Sequence, residues 1–444
     1  MKLAHHVGTE SVSPDTAQSA ATSKNRHALI ASAVGTTIEW YDFFIYGLIG
    51  PFIFDKLFFP TLDPVTGTVA VYATFAVGFA SRPLGGLVFG HFGDRIGRKS
   101  VMLVTLILMG AATAAMGLLP SYQQIGVSAA YLLVILRFIQ GFALGGESTA
   151  AGLLVIESSA QAKRGFIGAV IQTAGPLGVL LASVSAFFVA QLGEEQMLTW
   201  GWRIPFLLSA VLVGIGLYVR LRIEESQAFA SQRLRQPHSR LPLVEVIAKH
   251  KRAIIVVLLA SMTESTFYYL TGIYSLSFVT KTLGLGRGPA ATGIMLANLV
   301  ALATVPLYGA LSDRIGRKKV FMAGIIGAVV YLYVFFGMLE TRSPGMIVVA
   351  IILAVGLIHA PMFAMQTSFY PELFPTRVRF SGVSVGKQFG IVLGGGISPM
   401  IAAALIAYNY NNPTIIAIYY SIMAAITFFA LALTKDTRQN DINE

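Results

Sequence analysis

The chain has 444 residues, of which 55% are hydrophobic and only 12% charged, with a mean hydropathy of +0.70. A soluble chain of this length would form two or three domains with far more charge on their surfaces, so the composition excludes a soluble enzyme and implies an integral membrane protein. The net charge of +11 is not gathered into one basic stretch with interleaved aromatics, which excludes a nucleic-acid surface, and without cysteine there is neither a disulfide framework nor a thiolate metal site.

Residues 1–25 are polar and precede any apolar run, so they are expected to be a disordered cytoplasmic tail; the first span must itself direct insertion. Twelve apolar spans of about 20 residues follow, near 28–49, 69–91, 100–119, 127–150, 165–190, 203–219, 253–279, 289–310, 319–339, 345–368, 381–407 and 413–434. The expected fold is an all-α membrane protein of two six-helix bundles, 26–219 and 253–434. Residues 220–252 form a cytoplasmic linker with eight Lys and Arg against Glu224, Glu225 and Glu245, and 435–444 form a second cytoplasmic tail.

Loops after even-numbered spans hold nineteen of the loop Lys and Arg residues, and the opposite loops only Lys56, Lys281, Arg287 and Arg342. The positive-inside rule therefore places the even loops and both termini in the cytoplasm. The halves repeat each other. Gly90 to Lys99, Gly-His-Phe-Gly-Asp-Arg-Ile-Gly-Arg-Lys, returns 219 positions later as Gly-Ala-Leu-Ser-Asp-Arg-Ile-Gly-Arg-Lys at Gly309 to Lys318, and Glu157…Arg164 returns 215 positions later as Glu372…Arg379. In these loops Asp94 and Asp313 are placed to cap the next helix or hold a basic neighbour. Arg98 is placed to reach Glu157, and Arg317 to reach Glu372, closing the cytoplasmic side together with Arg95, Arg314, Arg164 and Arg379.

Charges inside apolar spans are costly and mark functional candidates. Span 1 reads Glu39-Trp-Tyr41-Asp42-Phe-Phe, with two carboxylates three apart on one helical face, suited to taking and losing a proton. Arg137 in span 4 has Ile352 as its counterpart in the repeat, so a role in binding a carboxylate or relaying a proton is expected rather than a symmetric structural one. Lys387 in span 11 either closes an anion site with Arg137, or snorkels to the cytoplasmic surface or pairs with an acid. Glu264 in span 7 aligns with Glu39 and is either a second site member or a packing acid; His359 in span 10 is either a ligand or a hydrogen-bonded group of the bundle. Arg82 and Glu147, toward the cytoplasmic ends of spans 2 and 4, fit a structural or gating ion pair rather than a substrate contact. Tyr41, Tyr46, Phe43, Phe44, Tyr268 and Tyr269 supply aromatic surface for a cavity. Glycines at 382, 386, 390 and 394 in span 11 and at 86 and 90 in span 2 form smooth stripes expected to meet across the halves.

The repeated loop resembles the signature of the major facilitator superfamily. Glu39-Trp-Tyr-Asp-Phe, Arg82-Pro-Leu-Gly-Gly, Gly145-Gly-Glu147, Trp200-Gly-Trp-Arg-Ile-Pro205 and Pro371-Glu-Leu-Phe-Pro-Thr-Arg377 together are similar to the metabolite:proton symporters, over about residues 25–435. The resemblance implies proton-coupled uptake of a small organic acid or betaine across a bacterial inner membrane by alternating access, driven by the proton gradient without a cofactor. The expected partners are the substrate, protons and the bilayer, and the chain is expected to act as a monomer. Ser148-Thr-Ala after Glu147, where the family often has Trp-Gly-Gly, and Lys387-Gln388, where it often has Tyr-Asn, indicate a different substrate. The rival reading is a proton antiporter exporting a drug or acidic metabolite, since Gly175-Pro-Leu-Gly178 partly matches the exporters' span 5 motif, with Val179 in place of its last glycine.

Overall fold

The computed structural model describes residues 14–96, 98–145, 163–221, 242–375, 378–409 and 412–434, and for 14–32, 51–52, 90–100, 102, 220, 242–244 and 380 only the course of the backbone. Among these residues the chain is helical, without strands. Helix α1 runs Pro14–Phe58, α2 Pro64–Phe89, α3 Arg98–Leu118, α4 Ser128–Gly145, α5 Arg164–Ala190 and α6 Glu194–Val219. The second half has α7 Lys251–Thr282, α8 Gly288–Ile315, α9 Arg317–Glu340, α10 Pro344–Phe369, α11 Ser381–Tyr408 and α12 Thr414–Ala432. Most exceed the span expected from hydropathy, because polar side chains at the ends cap helices without entering apolar surroundings. Asp63, for example, accepts from the N–H groups of Val65 and Thr66 at 3.1 Å and starts α2 five residues early. The expected linker likewise ends in a short helix, Pro242–Lys249, before α7.

Besides the start of α5, which lies against α10, two long helix pairs join the halves: α5 packs along α8, and α2 along α11. The sequence repeat relates α2 to α8 and α5 to α11, so the two contacts are symmetry mates. Both need backbones to approach closely. A Cβ on Gly165 would lie 2.6 Å from the carbonyl oxygen of Gly309, and a Cβ on Gly309 would lie 2.6 Å from that of Gly165.

The glycine stripe of α11 behaves differently from expectation. Gly386 and Gly390 face α7 in their own half, where a Cβ would lie 2.8 Å from Val257 Cβ and 2.7 Å from Ser261 Cβ respectively. Gly86 faces Gly145 of α4, also within its half. Helices α2 and α11 do meet across the halves, but through Gly396 against Phe79, because the stripe is needed to bring α11 onto α7.

The second loop motif shows why its glycine is required. Gly316 sits at φ +106° between α8 and α9, a backbone conformation open to glycine at little cost, which lets Arg317 begin the next helix at once.

Candidate functional site

Between the halves, near the middle of their helices, lies a cluster of charged side chains walled by aromatic rings. From the first half come Glu39 of α1 and Arg82 of α2; from the second come Glu264 of α7, His359 of α10 and Lys387 of α11. Glu39, Glu264 and His359 are buried, while Arg82 and Lys387 are half-buried. Lys387 lies within reach of the charges of Glu264, Glu39 and Arg82, and Arg82 within reach of those of Tyr269 and Glu39. His359 Nε2 lies 2.6 Å from Glu264 Oε1.

The aromatic wall also draws on both halves. Trp40 and Phe44 stack at 5.2 Å, Phe44 stacks on Tyr269 at 5.5 Å, and Trp40 meets Phe363 edge-on at 5.7 Å. Tyr268 lies 4.9 Å from the His359 ring, and the Arg82 guanidinium rests 4.1 Å above Phe43 and 4.3 Å above Phe79. Such faces attract a cation while excluding water, which strengthens every charge interaction they enclose. In the second half, π-helical stretches at Tyr269–Tyr274, Ile352–Ile358 and Val392–Gly396 lie next to this cluster; widened turns of this kind are frequent at functional sites.

The structure rearranges several sequence expectations. Glu39 and Asp42 do not share a pocket. Glu39 faces Arg82 and Lys387, whereas Asp42 is enclosed within the first half opposite Ser209 of α6, with no hydrogen-bond geometry satisfied at either carboxylate oxygen. Three residues along a helix turn a side chain by about 60°, enough to send the two acids to different neighbours.

Arg137 does not close an anion site with Lys387. It is fully buried in the first half, donating to Gln140 Oε1 and, at 3.3 Å, to the carbonyl of Phe75, with its guanidinium 4.2 Å above Tyr46. Gln140 in turn donates to the Asp42 carbonyl at 2.8 Å and to Thr113 at 2.7 Å, so the arginine braces α1, α2, α3 and α4. Tyr41 also turns away from the cluster and donates to the Pro205 carbonyl at 2.7 Å. Arg82 takes the place expected of Arg137. Hydropathy located it near the end of span 2, but the helical run that begins as α2 goes on past Phe89 to Ile96, which leaves Arg82 well inside it. Its position in the unequal series of buried charges was the signal available in the sequence.

Contacts between the halves close both ends of the cluster. On the face bearing the repeated loops, Asp313 of α8 accepts from the backbone N–H of Gly165 and of Phe166 at 2.9 Å each, capping α5 of the other half rather than the helix that follows it. Arg317 lies 2.9 Å from Asp313, and its Nε is 3.5 Å from Glu372, so this arginine and its acids belong to one half, and Asp313 carries a contact across. Arg379 donates to the carbonyls of Pro371 and Phe374, Arg164 is buried, and Arg314 is exposed. On the opposite face Lys281 of α7 pairs with Asp55 of α1 and donates to Thr68 of α2 at 2.7 Å, a crossing contact that hydropathy and motif gave no reason to expect. Glu147 and Glu157, and the side chains of Asp94, Arg95 and Arg98, lie outside the described residues.

The family model for the Major Facilitator Superfamily matches residues 33–386 and 276–444. The shikimate transporter of Escherichia coli (strain K12) is 38% identical over 420 residues, covering 94% of this chain and 96% of its own. The proline/betaine transporter of the same organism is 31% identical over 427 residues, 94% of this chain and 84% of its own. The solved structure of the proton:xylose symporter XylE bound to 6-bromo-6-deoxy-D-glucose superposes with a TM-score of 0.72 at 17% identity over 95% of this chain and 98% of that one, which shows the shared twelve-helix fold. Two six-helix halves, their paired loops and relatives this similar over nearly the whole length make the conclusion plain: the chain belongs to the major facilitator superfamily, as a multi-pass membrane transporter and not an enzyme.

Proposed function

We propose that the protein is a proton-coupled symporter that brings a small organic acid into the cell across the bacterial inner membrane by alternating access. The observation that carries this reading is that two cations, Arg82 and Lys387, and two carboxylates, Glu39 and Glu264, lie within reach of one another's charge beside an aromatic enclosure built by both halves. A transported anion finds positive charge there only when the acids give way, which is what coupling to protons requires. Glu39 opens onto the anion site and Asp42 stands behind it as proton-binding acids of the first half. The printed names of the relatives, one a shikimate transporter and one a proline/betaine transporter, support a small polar cargo.

Positive loop charge supports a cytoplasmic side for the repeated loops, on which reading the Asp313 cap is the inner gate and the Lys281–Asp55 pair the outer one. Reconstitution into vesicles, with an acid-outside gradient and a pooled panel of carboxylates and betaines, tests the reading. Accumulation of a carboxylate that collapses with a protonophore is expected. No accumulation, with preloaded compounds leaving under the same gradient, would establish proton-driven export instead.

A further inference from the structure

One face of α1 carries Trp40 and, a turn further on, Phe44, and this face is turned to the second half. Phe44 is buried between Trp40 and Tyr269, while Trp40, stacked on it at 5.2 Å, is only half-buried. Phe363 of α10 meets the indole nearly perpendicularly at 5.7 Å and lies 5.2 Å from the His359 ring, so Trp40 borders the charged cluster across the seam between the halves. No described residue accepts from its Nε1–H, although an indole N–H set in protein ordinarily finds a partner.

The ring is held there by glycine. Gly175-Pro-Leu-Gly178 of α5 partly matches an exporter motif by sequence, but its glycines form a seat for the indole. A Cβ on Gly178 would lie 2.7 Å from Trp40 Cβ; one on Gly175 would lie 3.1 Å from Trp40 Cε2, the carbon that bears Nε1, and 3.3 Å from Phe363 Cζ. One turn nearer the Asp313 cap, Gln172 donates to Gln366 at 3.4 Å and accepts from Thr367 at 3.0 Å, an amide bridge that crosses the seam next to the ring.

Resting on the symport reading above, we propose that Trp40 is a cargo-binding residue whose Nε1–H donates to a carboxylate oxygen of the anion that Arg82 and Lys387 attract. Phe44 covers one face of the indole and Gly175 backs its fused bond, so the ring meets the cargo with its edge. The edge of an aromatic ring is its positive part and the face its negative part. An edge that also carries an N–H suits a carboxylate, whereas the quaternary ammonium of a betaine needs an open face. The two cations attract any small anion; the single N–H fixes which way a carboxylate is turned, and with it which cargo fits. Proton coupling stays with Glu39 and Asp42.

Binding to the full-length protein in vesicles tests this, with shikimate, benzoate, lactate and glycine betaine as probes. The other tryptophans, Trp200 and Trp202, stand at the start of α6, so a change in indole emission that appears on adding a probe and is abolished in Trp40→Phe reports Trp40. For a carboxylate that accumulates, Trp40→Phe keeps a ring without the donor and should weaken apparent affinity about tenfold or more, with Tm and maximal rate unchanged. Gly175→Ala presses on the seated ring and should weaken the same affinity, which keeps the test open should Trp40→Phe fail to fold. Unaltered affinity in the folded variant, a loss confined to the maximal rate, or accumulation of glycine betaine alone would overturn the assignment. A protein that concentrates none of the four probes under an acid-outside gradient would instead overturn the symport reading, so the two failures are distinct.

Discussion

The Asp313 carboxylate lies 2.9 Å from the backbone nitrogen of Gly165, so the last turn of a helix in the second half serves as the N-terminal cap of a helix in the first. The free N–H groups and positive end of α5 are satisfied only while this face is closed. Asp313→Ala should cost the closed state about 1–2 kcal/mol, the usual worth of such a cap. Because the chain has no cysteine, a Ser312→Cys replacement, buried beside this contact, reports opening through its rate of maleimide labelling. That rate should rise about 5–30-fold in the Asp313→Ala background; an unchanged rate would show that Asp313 does not hold the gate.

The opposite face is tied by Lys281 to Asp55 and Thr68. This pair is partly exposed, so its net contribution is about 1 kcal/mol and falls with added salt. Lys281→Ala should speed labelling of a cysteine placed at Ser277, which is buried nearby, and the exchanged pair Lys281→Asp with Asp55→Lys should slow it again. Equal labelling in all three proteins would remove the contact from gating.

Arg82 and Arg137 should separate by phenotype although both are arginines set among aromatic rings. Loss of a charge-assisted contact to the cargo, about 1.5–3 kcal/mol, should weaken apparent substrate affinity roughly 10–150-fold in Arg82→Gln and in Lys387→Gln. Arg137→Gln should instead lower thermal stability in detergent, since it unties α1, α2 and α4. An affinity loss in Arg137→Gln equal to that in Arg82→Gln, at unchanged stability, would return Arg137 to the anion site.

The acids of the first half make a further test. The double variant Glu39→Gln, Asp42→Asn should still exchange labelled for unlabelled carboxylate across the vesicle membrane yet fail to concentrate it in response to an acid-outside gradient. Full gradient-driven accumulation would remove both acids from coupling.

Close packing of α11 on α7 has a direct stability consequence. A Cβ at Gly390 would lie 2.7 Å from Ser261 Cβ and closer still to the Leu258 carbonyl, so Gly390→Ala should cost about 1–3 kcal/mol and lower the Tm. Gly214 of α6 has open space around it, and Gly214→Ala should leave the Tm where it is or raise it slightly.

The sequence by itself determined the number and order of the helices, their two-half repeat and the rarity of charge within them. Each of these follows from the cost of exposing polar groups to lipid, which acts locally on every span. It also exposed Glu39, Glu264, His359 and Lys387 as costly residues needing a reason. What it did not determine was which of them meet. Glu264 and His359 stand 95 positions apart, and only the packing of α7 beside α10 within the second half sets them 2.6 Å from one another. Glu39 and Asp42, neighbours by sequence, part because the helix turns one toward the other half and the other toward α6. The exchange of roles between Arg82 and Arg137 has the same origin: each is a charge within an apolar span, but whether an arginine lies beside a cluster shared by both halves or braces one of them depends on helix rotation and length, which hydropathy does not encode.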